Sequence, residues 1–348
     1  MGNKTNDNLY IIKIDYQFKK NPNLKYRLDL TNTNSKYGTD MFEVFLSYRD
    51  NKHYLVSPNC QNYNLDIFTL IDNKKILSLK GHKSDIRSIK YMYNNYKNNE
   101  YLISADDFRQ IIIWDINKDY EIVFIKYIRP EFINNCLMIF PHNEKDIYVV
   151  ISSRSSYESN LAYTFISSLY STEKQTRLSD SNYLTWYILS WFNKKDNQYY
   201  IIHLCFKRIA IFNLLKDKKY DIFIQEPESN HFSGFIYSKD DYDYLCCTSQ
   251  NGFINIWDLF KKKIYKVINT YSRKLDIIIL WNNKYIIGGD NNINKSLKII
   301  DVEKGKIISS ISGQHTDYIQ CLKKINHPIY GESLLSGGCD KMIKLWSL

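Results

Sequence analysis

Glycine is scarce in this chain, 12 among 348 residues, and neither G-x-x-x-x-G-K-[ST] nor G-x-G-x-x-G occurs. Such loops cradle phosphate because glycine lets backbone N–H groups come close to the anion, so a nucleotide-binding loop has no support. The seven cysteines (60, 136, 205, 246, 247, 321 and 339) include no C-x-x-C. The seven histidines (53, 82, 142, 203, 231, 315 and 327) include no H-E-x-x-H and no grouping with cysteine at zinc spacing. No metal and no cofactor are expected. An odd count of irregularly spaced thiols fits a reducing compartment better than a disulfide framework. The start, MGNKTNDNLY, has no apolar signal core, and Asn6 stands where a myristoylation motif wants Ser or Thr. No run approaches the roughly 18 apolar residues that cross a bilayer. An intracellular, cytoplasmic chain is expected, with a nuclear one left open.

What is present is a large apolar inventory: 44% of residues are apolar and 15% aromatic, enough to bury one large core or two ordinary ones. The formal charge of +10 raises nucleic acid or a membrane surface as partners. Yet Lys, Asn, Ile and Tyr are abundant together, as an AT-rich genome would produce without selection for a basic face. The lysines are also scattered, with KKK at 261–263 the densest group.

A period organises the chain. RQIIIWDI (109–116) returns as GFINIWDL (252–259), KSLKIIDV (295–302) and the terminal KMIKLWSL, with weaker echoes LDIFTL (65–70) and RIAIFNL (208–214). Taking the tryptophan place as marker gives Phe68, Trp114, Phe212, Trp257, Ile300 and Trp346, at steps of 46, 98, 45, 43 and 46. The step of 98 is two periods and leaves room for a degenerate copy in NLAYTFISS, near Phe165. Each period holds a second β-like run before the marker: YLIS, IYVVIS, YYIIHL, YLCCTS, YIIGG or SLLSGG. Turn residues separate the runs, and apolar residues alternate with period two. Four short strands per unit of about 45 residues is the blade of a β-propeller. The expected fold is therefore all-β: seven blades, each a four-stranded antiparallel sheet.

At these residues the chain resembles the WD-repeat family. GHKSDIRSIKY…YLISADDFRQIIIWDI is similar to a complete repeat, as is GQHTDYIQCLKK…SLLSGGCDKMIKLWSL, and the likeness extends over about 41–348. The resemblance implies a buried tetrad of His, Ser or Thr, Asp and Trp. His315, Ser336, Asp340 and Trp346 fill all four places in the last repeat. The second offers His82, Ser104 and Trp114, with Phe108 at the aspartate place and Asp106 and Asp107 just before it. His315, Ser336 and Asp340 also have the composition of a hydrolase triad, but no G-x-S-x-G elbow surrounds Ser336, and the blade accounts for all three. Paired carboxylates such as Asp106–Asp107 and Asp240–Asp241 fall at turns, where capping or solvation is the ordinary role. An enzyme is not expected.

A propeller protects its sheet edges by completing one blade with strands from both chain ends. Trp346 marks the third strand of the last blade, so KYRLDL (25–30) is expected as its outermost strand, with LYIIKIDYQF (9–18) as competitor. The expected organisation is an extension over 1–24 and one propeller over 25–348.

The resemblance implies an interaction scaffold that binds other proteins through its loop-lined top, with no small-molecule substrate. The residues flanking the starts of two innermost strands, Asp85 and Arg87, then Tyr318 and Gln320, are the candidate partner-binding positions. The alternative is phosphoinositide, membrane-surface or nucleic-acid binding. Phosphoinositide-binding propellers carry F/L-R-R-G, of which FKRI (206–209) lacks the second arginine and the glycine. A cullin-ligase receptor favours W-D-x-R, where this chain has WDIN and WDLF.

Overall fold

The computed structural model describes residues 23–32, 42–59, 61–95, 97–108, 110–127, 132–143, 146–155, 162–168, 176–181, 185–213, 220–230, 233–291 and 295–348. The run 9–18, Cys60 and His231 lie outside them.

The first strand among the described residues is β1 (Lys25–Asn32), and one antiparallel sheet after another follows it. Sheet 1 is β2–β5 (Glu43–Leu46, His53–Asn59, Asn64–Thr69, Lys75–Leu79). Sheet 2 is β6–β9 (Ile86–Asn94, Asn99–Asp106, Gln110–Asp115, Glu121–Tyr127), with a 3-10 turn at Ile116–Lys118. Sheet 3 is β10–β13 (Phe132–Asn143, Asp146–Ser155, Ala162–Ser168, Thr176–Ser181), and Phe165 lies in its third strand. Sheet 4 is β14–β16 (Thr185–Asn193, Gln198–Asn213, Tyr220–Asn230). Sheet 5 is β17–β20 (Gly234–Lys239, Tyr242–Thr248, Phe253–Asp258, Lys263–Asn269). Sheet 6 is β21–β24 (Leu275–Trp281, Tyr285–Asp290, Ser296–Asp301, Lys306–Ile311). Sheet 7 joins β25–β27 (Ile319–His327, Gly331–Gly338, Met342–Ser347) to β1. The first strands of successive sheets lie against one another, from β2 beside β6 through β21 beside β25 and on to β25 beside β2. This is the arrangement of a β-propeller.

Among the described residues six sheets have four strands and sheet 4 has three, so the expectation of seven four-stranded blades is met in six. The reason lies in β15. Its first half pairs with β14 and its second half with β16. A straight strand of its length would hold its ends about 50 Å apart. Instead Asn213 Nδ2 donates to Gln198 Oε1, and the His203 and Phe212 rings lie 4.7 Å apart. The strand doubles back on itself near Phe206 with no separate turn between the arms.

Burial explains the sequence pattern. Third strands are flanked by strands on both sides and by sheets on both faces, so all six residues of β8 and of β23 are buried, and β8 reads as a continuous apolar run from Ile111 to Trp114. Outer strands have one free edge, and β9 is mostly exposed. The cores sit between blades: Phe45, Val56, Leu65 and Ile67 of sheet 1 pack with Ile89, Leu102, Ile112 and Trp114 of sheet 2. Cys246 and Cys247 point to opposite faces and are both fully buried, one facing the core shared with sheet 6 and the other that shared with sheet 4.

β1 pairs antiparallel with β27, from Lys25 opposite Ser347 to Asn32 opposite Met342. Tyr26 meets the Trp346 ring edge-on at 5.8 Å. Arg27 Nε donates to Ser347 Oγ at 2.6 Å, and Lys344 Nζ reaches Asp29 at 2.6 Å. Beside this blade, Lys323 of β25 forms two contacts of 3.0 and 3.1 Å with the Glu43 carboxylate of β2. Burial opposes the charge of Lys323, but Glu43 holds its pKa above the ordinary lysine value.

Candidate functional site

Strand direction alternates within each sheet, so two sets of connections emerge at one end: outer strand to next inner strand, and second strand to third. All the candidate binding and tetrad loops lie at this end, here called the top.

In sheet 7, His315 precedes β25 in the entering loop, Ser336 lies in β26, Asp340 in the following turn and Trp346 in β27. His315 Nδ1–H donates to Asp340 Oδ2 at 2.8 Å, and Nε2 accepts from Ser336 Oγ at 2.7 Å. Ser336 Oγ in turn accepts from Trp346 Nε1–H at 2.7 Å. Every polar atom of the buried chain has a partner, which fixes the entering loop to the two central strands. Burial alone would push Asp340 up; the hydrogen bond from His315, with the N–H groups of Thr316 and Met342, holds it below the usual carboxylate range. Gly338 is required beside it, since an added Cβ would sit 2.9 Å from both Asp340 Oδ1 and His315 Nδ1. Ser336 is fully buried and bound to two ring nitrogens, an arrangement that positions a loop and exposes no nucleophile.

Sheet 2 holds the same network with a different aspartate. His82 Nδ1 donates to Asp106 Oδ2 at 2.8 Å, Nε2 meets Ser104 Oγ at 2.6 Å, and Trp114 Nε1 donates to Ser104 Oγ at 2.9 Å. The aspartate place read at Phe108 is therefore filled by Asp106, two residues after the serine instead of four. Asp106 Oδ1 also accepts the Gln110 N–H, closing the turn in which Phe108 is left 67% exposed. Asp107, the other member of the carboxylate pair, is gripped by Arg87 through two bonds of 2.6 and 2.7 Å.

The candidate partner-binding residues divide by environment. Asp85 is half-buried and its carbonyl accepts the Asp107 N–H at 3.0 Å. Arg87 is mostly committed to Asp107. Tyr318 is 41% exposed, and its ring carries the Lys295 ammonium at 3.8 Å. Gln320 is half-buried, and its Oε1 has no hydrogen-bond partner among the described residues. The structure thus places all four at the top, with sheet 1 lying between the two pairs.

Sheet 6 contains a network that the sequence reading missed. Its third strand carries Lys298 two residues before the marker Ile300, and this lysine is buried. Its Nζ lies 2.9 Å from Asp290 Oδ2 and donates to Thr270 O at 2.9 Å and Ser272 Oγ at 2.6 Å. A lysine–aspartate pair therefore ties the entering loop to the central strands where sheets 2 and 7 use histidine. The only available signal was an ionisable residue inside an apolar marker run. In sheet 5, Trp257 occupies the marker place, and its Nε1 finds no partner among the described residues. Among those residues there is also no group of three or more His, Cys, Asp or Glu able to hold a metal.

Residues 305–347, spanning β24 to β27, match the family model of the WD domain, G-beta repeat. Comparison with curated proteins gives no significant match.

Proposed function

We propose that this β-propeller, whose residues 305–347 form a WD repeat, is a non-catalytic protein-interaction scaffold within a larger intracellular assembly. In this reading residues 25–348 form one seven-bladed ring, the doubled-back strand supplying two strands of its blade and β1 closing the last. The observation that carries the functional half is the construction of the top. Three loops are pinned by buried polar networks while aromatic side chains beside them remain outside: Phe108 at 67%, Tyr318 at 41% and Tyr271 at 82% exposure. Exposed aromatics on rigid supports suit protein contacts, because they contribute large apolar area with little conformational entropy to lose. Fold analogy supplies the class of function, and the site supplies the surface.

Lipid-headgroup binding through FKRI is disfavoured by its placement. Arg208 is half-buried in β15, close enough to His203 to lower that ring's pKa, so it is poorly offered to a membrane. Nucleic acid is the reading left by net charge alone, and it requires affinity that falls steeply with salt.

The test is affinity purification from the native source at physiological and high salt. A defined protein set retained at both supports the scaffold; recovery of lipid or nucleic acid in its place overturns it. Tyr318→Ala, with Arg87→Ala in a second variant, should weaken that capture while the melting temperature of Tyr318→Ala stays within a degree or two. Unchanged capture in both would move the surface from the top to the rim.

A further inference from the structure

The loop entering β21, residues 270–274, is built unlike a solvated connector. Thr270 N donates to Gly252 O at 3.2 Å and its Oγ1 to the same carbonyl at 2.5 Å. From beneath, buried Lys298 holds Thr270 O and Ser272 Oγ. Gly252 is at φ 75°, and a Cβ there would lie 1.7 Å from Ser272 O, so the two top loops are in direct backbone contact. Between these anchors stands Tyr271, 82% exposed and in the left-handed region at φ 51°, a conformation rare for a bulky residue. An exposed aromatic held in strained backbone by a buried network is more than a turn requires, and strain of this kind collects at binding sites.

The side chains that follow in this loop and in the top loops of sheets 6 and 7 have a consistent chemistry. Arg273, next in the loop, is exposed, and no carboxylate reaches it among the described residues. Lys274 and Lys295 converge on one ring, that of Tyr318, with their ammonium groups 5.7 and 3.8 Å from its centroid. Lys274 is balanced by Asp276 at 3.0 Å. Lys295 donates to Asn291 O at 3.3 Å and has no carboxylate partner among the described residues. Asp317 accepts the Tyr318 N–H, and Asp290 is held by Lys298. Two like charges against one aromatic ring, one of them without a carboxylate partner among the described residues, and an exposed guanidinium next to Lys274 in sequence make a place where an anion lowers the energy of the cations.

We propose that this arc of the top, Tyr271, Arg273, Lys274, Lys295 and Tyr318, docks an acidic peptide segment of a protein partner. A carboxylate sits between Lys295, Lys274 and Arg273, and a neighbouring apolar side chain packs on the tyrosine rings. The proposal rests on the scaffold reading above and specifies its partner by charge. A basic partner is repelled by the lysines, and a nucleic-acid backbone needs a longer cationic track than this arc provides.

The test is selection of random twelve-residue peptides displayed on phage against the full chain, followed by fluorescence anisotropy of enriched peptides. Enriched sequences should carry a net negative charge with an aromatic or aliphatic residue beside the acid. The double variant Arg273→Glu, Lys295→Glu should lose on the order of tenfold or more in affinity. Tyr271→Ala and Tyr318→Ala should each weaken binding, whereas Tyr318→Phe should not. Lys304→Glu, in the turn between β23 and β24 at the opposite end, makes the same kind of charge change and should stay within about twofold, since an exposed charge beyond a Debye length is screened. Unchanged melting temperatures certify the variants. Enrichment without acidic excess overturns the acidic-peptide proposal and leaves the scaffold reading standing. Equal losses in Lys304→Glu and the double variant show long-range attraction with no site and overturn it. No enrichment at all, or tighter binding of single-stranded DNA or anionic vesicles through the same residues, also overturns it, and the latter two sink the scaffold reading with it.

Discussion

A buried histidine can be held in one tautomer by a chain of three hydrogen bonds, and in this protein that chain decides which substitutions matter. Trp346→Ala should cost about 3–5 kcal/mol through the cavity it leaves. His315→Ala leaves Ser336 and Asp340 without their partner and should cost about 1–3 kcal/mol. Lys341→Ala should do little: the residue is exposed, and both side chains carry a Cβ, so the strain at φ 67° is unchanged. Chemical denaturation of the three variants checks the order. In sheet 2 the corresponding loss belongs to Asp106→Ala, and Phe108→Asp should not restore it, because the carboxylate that reaches His82 comes from the earlier position. Other histidines are held neutral. Burial lowers His203 to about 3, with Arg208 adding to it; burial lowers His53, helped by His327. Burial also lowers His327, against the pull of the Leu70 carbonyl. A histidine with a depressed folded pKa contributes its full share above the unfolded value near 6.5 and loses it as pH falls below, at most about 1.4 kcal/mol per pH unit each. Asp340 is also depressed, but its contribution fades only below the ordinary carboxylate range. Melting temperature should therefore be flat from pH 8 to 7 and fall from about 6.5 to 5, with His203→Leu reducing the slope; an unchanged slope in that variant would remove His203 from the account.

At the scale of the strand, the closing element can be tested by deletion. Removing residues 1–20 spares β1 and should leave a soluble protein with a cooperative melt. Removing 1–31 takes away the partner of β27, uncovers Trp346 where Tyr26 lay, and leaves Lys344 without Asp29. The open row of N–H and C=O groups should then drive association, seen as a larger species in analytical ultracentrifugation. Insolubility after the shorter deletion would assign the closing role to the run 9–18 instead. The strands were readable because third strands are almost wholly buried and so repeat as I-I-I-W or I-N-I-W, and because turn residues interrupt them on schedule. The two arms of β15 were read as separate runs, YYIIHL and RIAIFNL, but their direct junction was not, since Cys205-Phe206-Lys207-Arg208 contains no Gly, Asn or Asp to announce a reversal. The tetrad of sheet 7 was readable at its usual offsets. That of sheet 2 was shifted by two residues, and in sheet 6 the lysine that replaces histidine keeps the function of the network but none of its spelling.

At the scale of the whole molecule, β1 and β27 are joined by a strand pair that no covalent bond secures, and on the proposed ring reading the place of closure can be moved. Ser347 lies opposite Lys25, and Arg27 donates to Leu348 O at 3.1 Å, so the end of β27 stands where a short turn into β1 would begin. Joining Leu348 through one glycine to Asn23 puts four residues between β27 and β1, the same number as the turn 259–262 between β19 and β20. Opening the chain between Lys304 and Gly305, in an exposed turn, then makes β24 the new N-terminal strand and transfers the three-plus-one division from sheet 7 to sheet 6. The rings of both forms have the same sheets, the same inter-blade cores and the same buried networks. The permuted chain should be monomeric, give the same far-ultraviolet spectrum and melt cooperatively within several degrees of the original, because only one turn has been exchanged for another. An insoluble or loosely folded product would mean that β24 cannot serve as a closing strand. Since β1 and β24 occupy equivalent outer places, it would also mean that the residues before Asn23 contribute to closure in a way that strand pairing alone does not explain.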